Sequence, residues 1–212
     1  MVIVRHGQTA ANAARRLQGL IDLPLDETGE RQAQLVAQRI SREIAADALI
    51  SSPLIRARTT ALAISSVTGL DIQERANLKE MHFGDLEGLT VDEFSAQYPE
   101  LAERAFDPHN LTLQWPNGDH IAEFYQRSHD AFTSIAEEHQ SQTVVVVAHG
   151  GLIGSYLRAV AGEPLNGWRT YGLRNCGISI VEVANGVPTI VIANDCAHLD
   201  EELAVAVERV RR

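Results

Sequence analysis

Two histidines, His6 and His149, each precede a glycine, and each follows a short apolar run: Val2-Ile3-Val4 and Val144-Val145-Val146-Val147-Ala148. Runs of that length read as buried strands. Open α/β sheets bind ligands at the carboxyl ends of their strands. Arg5 adjoins His6, while Arg56 and Glu80 fall in turns after two further strands. Two arginines and two histidines converging on one crevice would attract an anion. Unit charges 4 Å apart at an effective dielectric of about 20 interact by roughly 4 kcal/mol. A phosphate dianion held by two guanidinium forks is the natural guest, with the helix N-termini after the His-Gly turns expected to assist. A neutral imidazole can attack phosphorus and split one displacement into two. The second histidine and the arginines would stabilise the equatorial charge. A carboxylic acid, Glu80, could protonate the departing alcohol and then activate water.

The elements that must position these groups follow a β-α-β alternation. A helix with apolar positions Ala33, Val36, Ala37 and Ile40 is expected up to about Glu43, with Thr28 in its N-cap region. Ala48 to Ser52 is a strand, and Pro53 begins a helix that ends near Gly69. A short strand covers Asp71 to Glu74, and residues 81–118 form an irregular, glycine- and proline-rich excursion with one helix across Thr90 to Gln97. Helices follow from Ile121 to His139 and from Gly151 to Ala161 around the valine-rich strand. Asn185-Gly186 joins two late apolar runs as a hairpin. The tail from Leu199 to Arg212 reads as a surface helix. The expected fold is a three-layer α/β/α sandwich with a mostly parallel central sheet, an antiparallel C-terminal strand and a short cap insertion. Residues 1–212 are expected to form one domain, with 81–118 as its cap.

Composition narrows the functional classes. A chain of 212 residues with net charge -10 is a poor phosphate-backbone binder, so no nucleic-acid partner is expected. Lys79 is the sole lysine among 18 basic residues, the rest being arginines suited to bidentate oxyanion recognition. Two cysteines, Cys176 and Cys196, fit a reducing cytosol better than a disulfide-stapled fold. No apolar stretch approaches the roughly 20 residues of a membrane span, so a soluble cytoplasmic protein without a membrane partner is expected.

Four blocks carry a resemblance. Val2-Ile3-Val4-Arg5-His6-Gly7-Gln8-Thr9, with Asn12 and Leu17-Gln18-Gly19, is followed by Ser51-Ser52-Pro53-Leu54-Ile55-Arg56-Ala57-Arg58-Thr59-Thr60-Ala61. Leu78-Lys79-Glu80-Met81-His82-Phe83-Gly84-Asp85-Leu86-Glu87-Gly88 and Val147-Ala148-His149-Gly150-Gly151 complete the order. Together they resemble the histidine phosphatase (phosphoglycerate mutase-like) superfamily, and Leu173-Arg174-Asn175-Cys176 looks like its C-terminal element. The resemblance implies that His6 is phosphorylated, that Arg5, Arg56 and His149 hold the phosphoryl group, and that Glu80 is the proton donor. Asn12, Gln18, Gly19 and Gly150 would line the pocket for phosphate and substrate. No metal or organic cofactor is implied.

A phosphatase of small-molecule phosphate esters is favoured over a cofactor-dependent mutase. Mutases of the family carry a longer cap with an arginine pair, whereas the stretch between Leu89 and Trp115 holds one arginine, Arg104, among Asp92, Glu93, Glu100, Glu103 and Asp107. Those acids would repel a small polyanionic substrate if they faced the pocket. A non-catalytic phospho-ligand binder is the remaining alternative, although binding alone needs no nucleophile and acid together. Asp119-His120 replaces a Glu-Ser pair common among relatives. Phe94, Tyr98, Phe106 and Trp115 either wall the pocket or anchor the cap on the core, the second being the simpler reading. His82 reads as packed under the Gly84 turn, Arg58 as a helix-surface residue, and His109, His120, His129, His139 and His198 as surface residues. The C-terminal strands offer an edge for a homodimer.

Overall fold

The computed structural model describes residues 1–165 and 172–199. Six strands form one sheet: β1 (Val2–Arg5), β2 (Ala48–Ser51), β3 (Ile72–Glu74), β4 (Val144–Ala148), β5 (Ile178–Ala184) and β6 (Val187–Asp195). Their order is β3-β2-β4-β1-β5-β6. The first three pairings are parallel, and β5 and β6 are antiparallel to their neighbours. The sequence reading of a mostly parallel α/β sheet holds, with two antiparallel strands at one side. Asn185 and Gly186 turn the hairpin at φ 52° and 78°, the left-handed pair that a two-residue turn needs.

Alternation along the central strands divides the core. Ile3, Ile50, Val144 and Val146 face α6 (Ile121–Glu138), α7 (Gly150–Ala161) and the 81–118 segment. Val2, Val4, Leu49, Val145 and Val147 face α2 (Glu27–Glu43) and α3 (Ile55–Thr68). Strands buried on both faces read as continuous apolar runs for this reason. Because Arg5 is paired with Ala148 in the β1–β4 register, the two His-Gly turns emerge side by side. Ser51 is paired with Val147, which brings Ser52 to the same edge.

Several boundaries differ from expectation. Asp26, not Thr28, caps α2, its carboxylate accepting from Gly29 N at 2.8 Å. The helix after Pro53 starts at Ile55, and Gly69 ends it at φ 73°. The 81–118 segment holds two helices, α4 (Val91–Gln97) and α5 (Pro99–Phe106), the second opened by Pro99 at its first position. A four-residue helix, α1 (Ala10–Ala13), follows β1. The expected C-terminal helix lies outside the described residues, apart from Leu199.

Phe94 and Trp115 are fully buried, with ring centroids 5.9 Å apart; Phe106 and Tyr98 pack on Phe94 at 6.2 and 6.5 Å. These four aromatics anchor the segment and do not line the central cavity. The alternative, that they wall the pocket, fails.

Candidate active site

A cavity of about 340 Å³ opens at the carboxyl ends of the central strands. Arg5, His6, Asn12, Gln18, Gly19 and Arg56 line it, joined by Glu80 and Gly150. His149 is the one predicted site residue outside that lining; it is fully buried, and its ring centroid lies 5.2 Å from that of His6.

His6 Nδ1 is 2.7 Å from Gly7 O, and a carbonyl can only accept, so Nδ1 carries the hydrogen and Nε2 the lone pair. Asn175 Nδ2 donates to His6 O at 2.9 Å, which fixes the main chain beneath the ring. Burial, then the charges of Arg56 and Arg5, holds the His6 pKa well below its ordinary value. His149 is lowered by burial first and then by Arg56. Both imidazoles are therefore neutral near neutral pH.

The arginines are held through main-chain acceptors. Arg56 is 1% exposed and donates from Nη1 to Ile21 O at 3.0 Å and from Nη2 to Gly19 O at 2.7 Å. Arg5 Nη1 donates to Leu173 O at 2.5 Å. Burial lowers the pKa of both guanidiniums, and Glu80 is the largest opposing charge on each. Arg5 Nε, Arg56 Nε and His149 Nδ1 are buried without a hydrogen-bond partner. Buried donors normally find a partner, so three orphans in one site indicate a place for an acceptor-rich guest.

Glu80 occupies the start of α7. Its Oε2 accepts from Gly151 N at 2.8 Å and its Oε1 from Leu152 N at 3.1 Å and Met81 N at 3.0 Å. A Cβ on Gly151 would come within 2.6 Å of Glu80 Oε1, so this approach requires glycine. The expectation that the α7 N-terminus would assist phosphate binding is thereby corrected: those N–H groups hold the Glu80 carboxylate.

Asn12 and Gln18 are tied into the first loop. Asn12 Oδ1 accepts from Thr9 N at 3.2 Å and from Asn175 Nδ2 at 3.2 Å. Gln18 Oε1 accepts from Thr9 Oγ1 at 2.8 Å, and its amide nitrogen donates to Ile21 O at 3.2 Å.

Sequence reasoning assigned no role to three supporting residues. Ser52 Oγ lies 2.7 Å from His149 Nε2. Glu87 accepts from Leu20 N, Ile21 N and Phe83 N at 2.8, 3.1 and 3.1 Å, which holds the loop whose carbonyls grip Arg56. Gly19 in that loop has φ 53°, and a Cβ there would meet Glu87 Oε1. Arg127 donates to Asn77 O, Lys79 O and Glu80 O at 3.1, 2.6 and 3.2 Å, and so sets the main chain that carries Glu80. Asp119 completes this clamp, accepting from Arg127 Nη2 at 3.3 Å and from His82 N at 3.0 Å.

Other expectations resolve individually. Arg58 is an exposed residue paired with Glu74 at 2.9 Å, as expected. His120 caps α6 through Nδ1, and His198 is partly buried beside Arg39, so neither is a plain surface residue. His82 lies outside the cavity lining, 39% exposed, with Nε2 3.9 Å from Glu87. Both cysteines are free thiols. Asp92, Glu93, Glu100, Glu103 and Asp107 do not line the cavity, which removes their repulsion of a polyanion as an argument against mutase activity. Among the described residues, no helix is long and apolar enough to cross a membrane.

Comparison with known proteins places this geometry. The model of the histidine phosphatase superfamily (branch 1) matches residues 1–196. The chain is 36% identical over 205 residues to phosphoglycerate mutase-like protein 4 of Arabidopsis thaliana, covering 95% of this chain and 87% of that one. It is 33% identical over 202 residues to phosphoserine phosphatase 1 of Hydrogenobacter thermophilus, covering 95% and 94%. The structure of phosphoserine phosphatase from Entamoeba histolytica in complex with 3-phosphoglyceric acid is similar at TM-score 0.84 and 26% identity, covering 93% of this chain and 97% of that one. The chain belongs to the histidine phosphatase superfamily.

Proposed function

We propose that the protein is a phosphatase that hydrolyses small-molecule phosphate monoesters through a phosphohistidine at His6. The observation that carries this reading is the His6 tautomer. Nδ1–H is committed to Gly7 O, so a neutral Nε2 lone pair remains beside three unpartnered donors. The Nε2–P bond forms as the ester P–O bond breaks. Arg5, Arg56 and His149 stabilise the equatorial oxygens during transfer. Glu80, which must be protonated when the ester binds, gives that proton to the departing alkoxide and then takes one from water as the P–N bond breaks, releasing inorganic phosphate and neutral His6. Asn12, Gln18, Gly19 and Gly150 shape the pocket around the guest. The reading treats residues 1–212 as one domain, acting in the cytoplasm, with 81–118 as its cap.

The phosphatase relatives support this reading, and the absence of an arginine pair in the 81–118 segment favours water over a second substrate hydroxyl as phosphoryl acceptor. A mutase reading has support from the Arabidopsis relative's name and from the acids that turn away from the cavity. Incubation with 3-phosphoglycerate and a bisphosphoglycerate primer separates the two. The phosphatase reading expects phosphate release from some ester to exceed mutase turnover. Mutase turnover that outpaces release from every ester tried would overturn it.

A further inference from the structure

His6 presents a bare Nε2 only while Nδ1 keeps its hydrogen on Gly7 O, so whatever fixes that carbonyl fixes the nucleophile. Two peptide planes separate the His6 Cα from that acceptor. The His6–Gly7 peptide is held at both ends: its oxygen accepts from Asn175 Nδ2 at 2.9 Å, and its N–H donates to Thr60 Oγ1 at 3.0 Å. The Gly7–Gln8 peptide carries the acceptor itself, and its N–H donates to Gln32 Oε1 at 2.9 Å. Turning either plane would swing Gly7 O away from Nδ1.

Thr60 is fully buried, Gln32 is 1% exposed, and neither lines the cavity. Thr60 stands on α3, one turn after Arg56. Gly7 N–H can only donate and Arg56 O can only accept, so the Thr60 hydroxyl takes the first and gives its one hydrogen to the second at 2.8 Å. One side chain thus joins the main chain of the nucleophile to the helix that carries Arg56. Gln32 comes from α2, whose first turn is pressed against the same loop. Asp26 N donates to Gln8 O at 3.0 Å, and a Cβ on Gly7 would lie 2.5 Å from Gly29 O, so this approach leaves no room for a side chain at position 7.

We propose that Thr60 and Gln32 are positioning residues for phosphoryl transfer, which lock the two peptide planes after His6 and so keep its hydrogen on Nδ1 and its lone pair on Nε2. They act through the main chain and touch no reacting atom. The inference deepens the phosphatase reading and rests on it for its kinetic consequence, whereas the tautomer is a property of the resting protein.

Imidazole nitrogen-15 spectra of the full chain near neutral pH read the tautomer without substrate, the His6 signals being assigned by their loss in His6→Ala. The wild type should show a protonated Nδ1 and a bare Nε2. Thr60→Val keeps the shape and removes the acceptor for Gly7 N, and Gln32→Met does the same for Gln8 N. In each variant the two nitrogen shifts should move toward each other as the second tautomer becomes populated. Thr60→Ser, which keeps the hydroxyl, should restore the wild-type pattern. With para-nitrophenyl phosphate, Thr60→Val is expected to lower kcat about tenfold at little change in KM, the worth of one buried hydrogen bond, and Thr60→Ser to recover most of the loss. A wild-type hydrogen on Nε2, a tautomer unmoved in Thr60→Val and Gln32→Met, or a kcat loss that Thr60→Ser does not recover would overturn the inference. The spectra report folded molecules and the two variants alter different helices, so poor folding of one leaves the other as the test. A wild type with its hydrogen on Nδ1 that hydrolyses no ester contradicts the phosphatase reading instead, and the tautomer comparison still decides the inference.

Discussion

Ser52 Oγ and His149 Nε2 lie 2.7 Å apart, and both residues are fully buried. Ser52 Oγ also accepts from Leu54 N at 3.3 Å, and its hydroxyl hydrogen can be given to Nε2. With Ser52 as the donor, the His149 hydrogen sits on Nδ1, which is buried and has no hydrogen-bond partner in the protein. Ser52→Ala frees the ring to take either tautomer and is expected to lower kcat about tenfold. Ser52→Thr, which keeps the hydroxyl, should recover most of the loss. A merely structural serine would instead show no recovery in kcat when thermal stability is matched.

The two imidazoles set a pH dependence. Each is held well below 6.5, by burial first and then by arginine charge. The acid limb of kcat/KM, which reports groups in the free enzyme, should lie well below pH 6.5. For stability the sign follows from proton binding. Below about pH 6.5 the unfolded histidines take up protons that the folded ones refuse, so this contribution is fully present above 6.5 and is lost as pH falls toward the folded values. Urea midpoints and kinetics across that window check both. An acid limb at or above 6.5 would contradict the assignment.

Arg56 has two tasks under the proposed mechanism: Nη1 and Nη2 hold Ile21 O and Gly19 O, while the charge of the group, whose Nε has no partner in the protein, faces the phosphoryl site. A lysine has one nitrogen and cannot serve all three directions. Arg56→Lys is therefore expected to lose roughly 100- to 1,000-fold in kcat/KM, as for removal of a pre-organised charge-stabilising donor. Near-wild-type kinetics in this variant would show that the fork geometry is not required.

Glu87 supports Arg56 indirectly, through the three main-chain N–H groups that it accepts from. Glu87→Ala should cost about 1–3 kcal/mol in denaturant unfolding because part-buried donors lose their acceptor. It should also raise KM for para-nitrophenyl phosphate as the Gly19 and Ile21 carbonyls loosen. Unchanged stability and KM together would remove Glu87 from the account.

The sheet was legible because Val2 to Val4 and Val144 to Ala148 are apolar on both faces, and because Asn185-Gly186 admits one kind of turn. The clustering of His6, Arg5, Arg56 and Glu80 was legible from their positions at strand ends. The supporting residues were not. Arg127, Glu87 and Asp119 act largely on main-chain groups distant in sequence, and main-chain partners leave no residue pattern to read. The α5 helix was hidden by Pro99, which reads as a breaker but serves at a helix start. Glu80 on the α7 N-terminus was missed because an open helix start resembles a phosphate site until a carboxylate from elsewhere fills it.

The central claim is that His6 carries the phosphoryl group. Rapid mixing with para-nitrophenyl phosphate, quenching at alkaline pH where phosphohistidine survives, and peptide mass spectrometry test it directly. The phosphoryl group is expected on the peptide containing His6, with none in His6→Ala. An unmodified His6 peptide throughout turnover, or hydrolysis by His6→Ala at the wild-type rate, would contradict the claim.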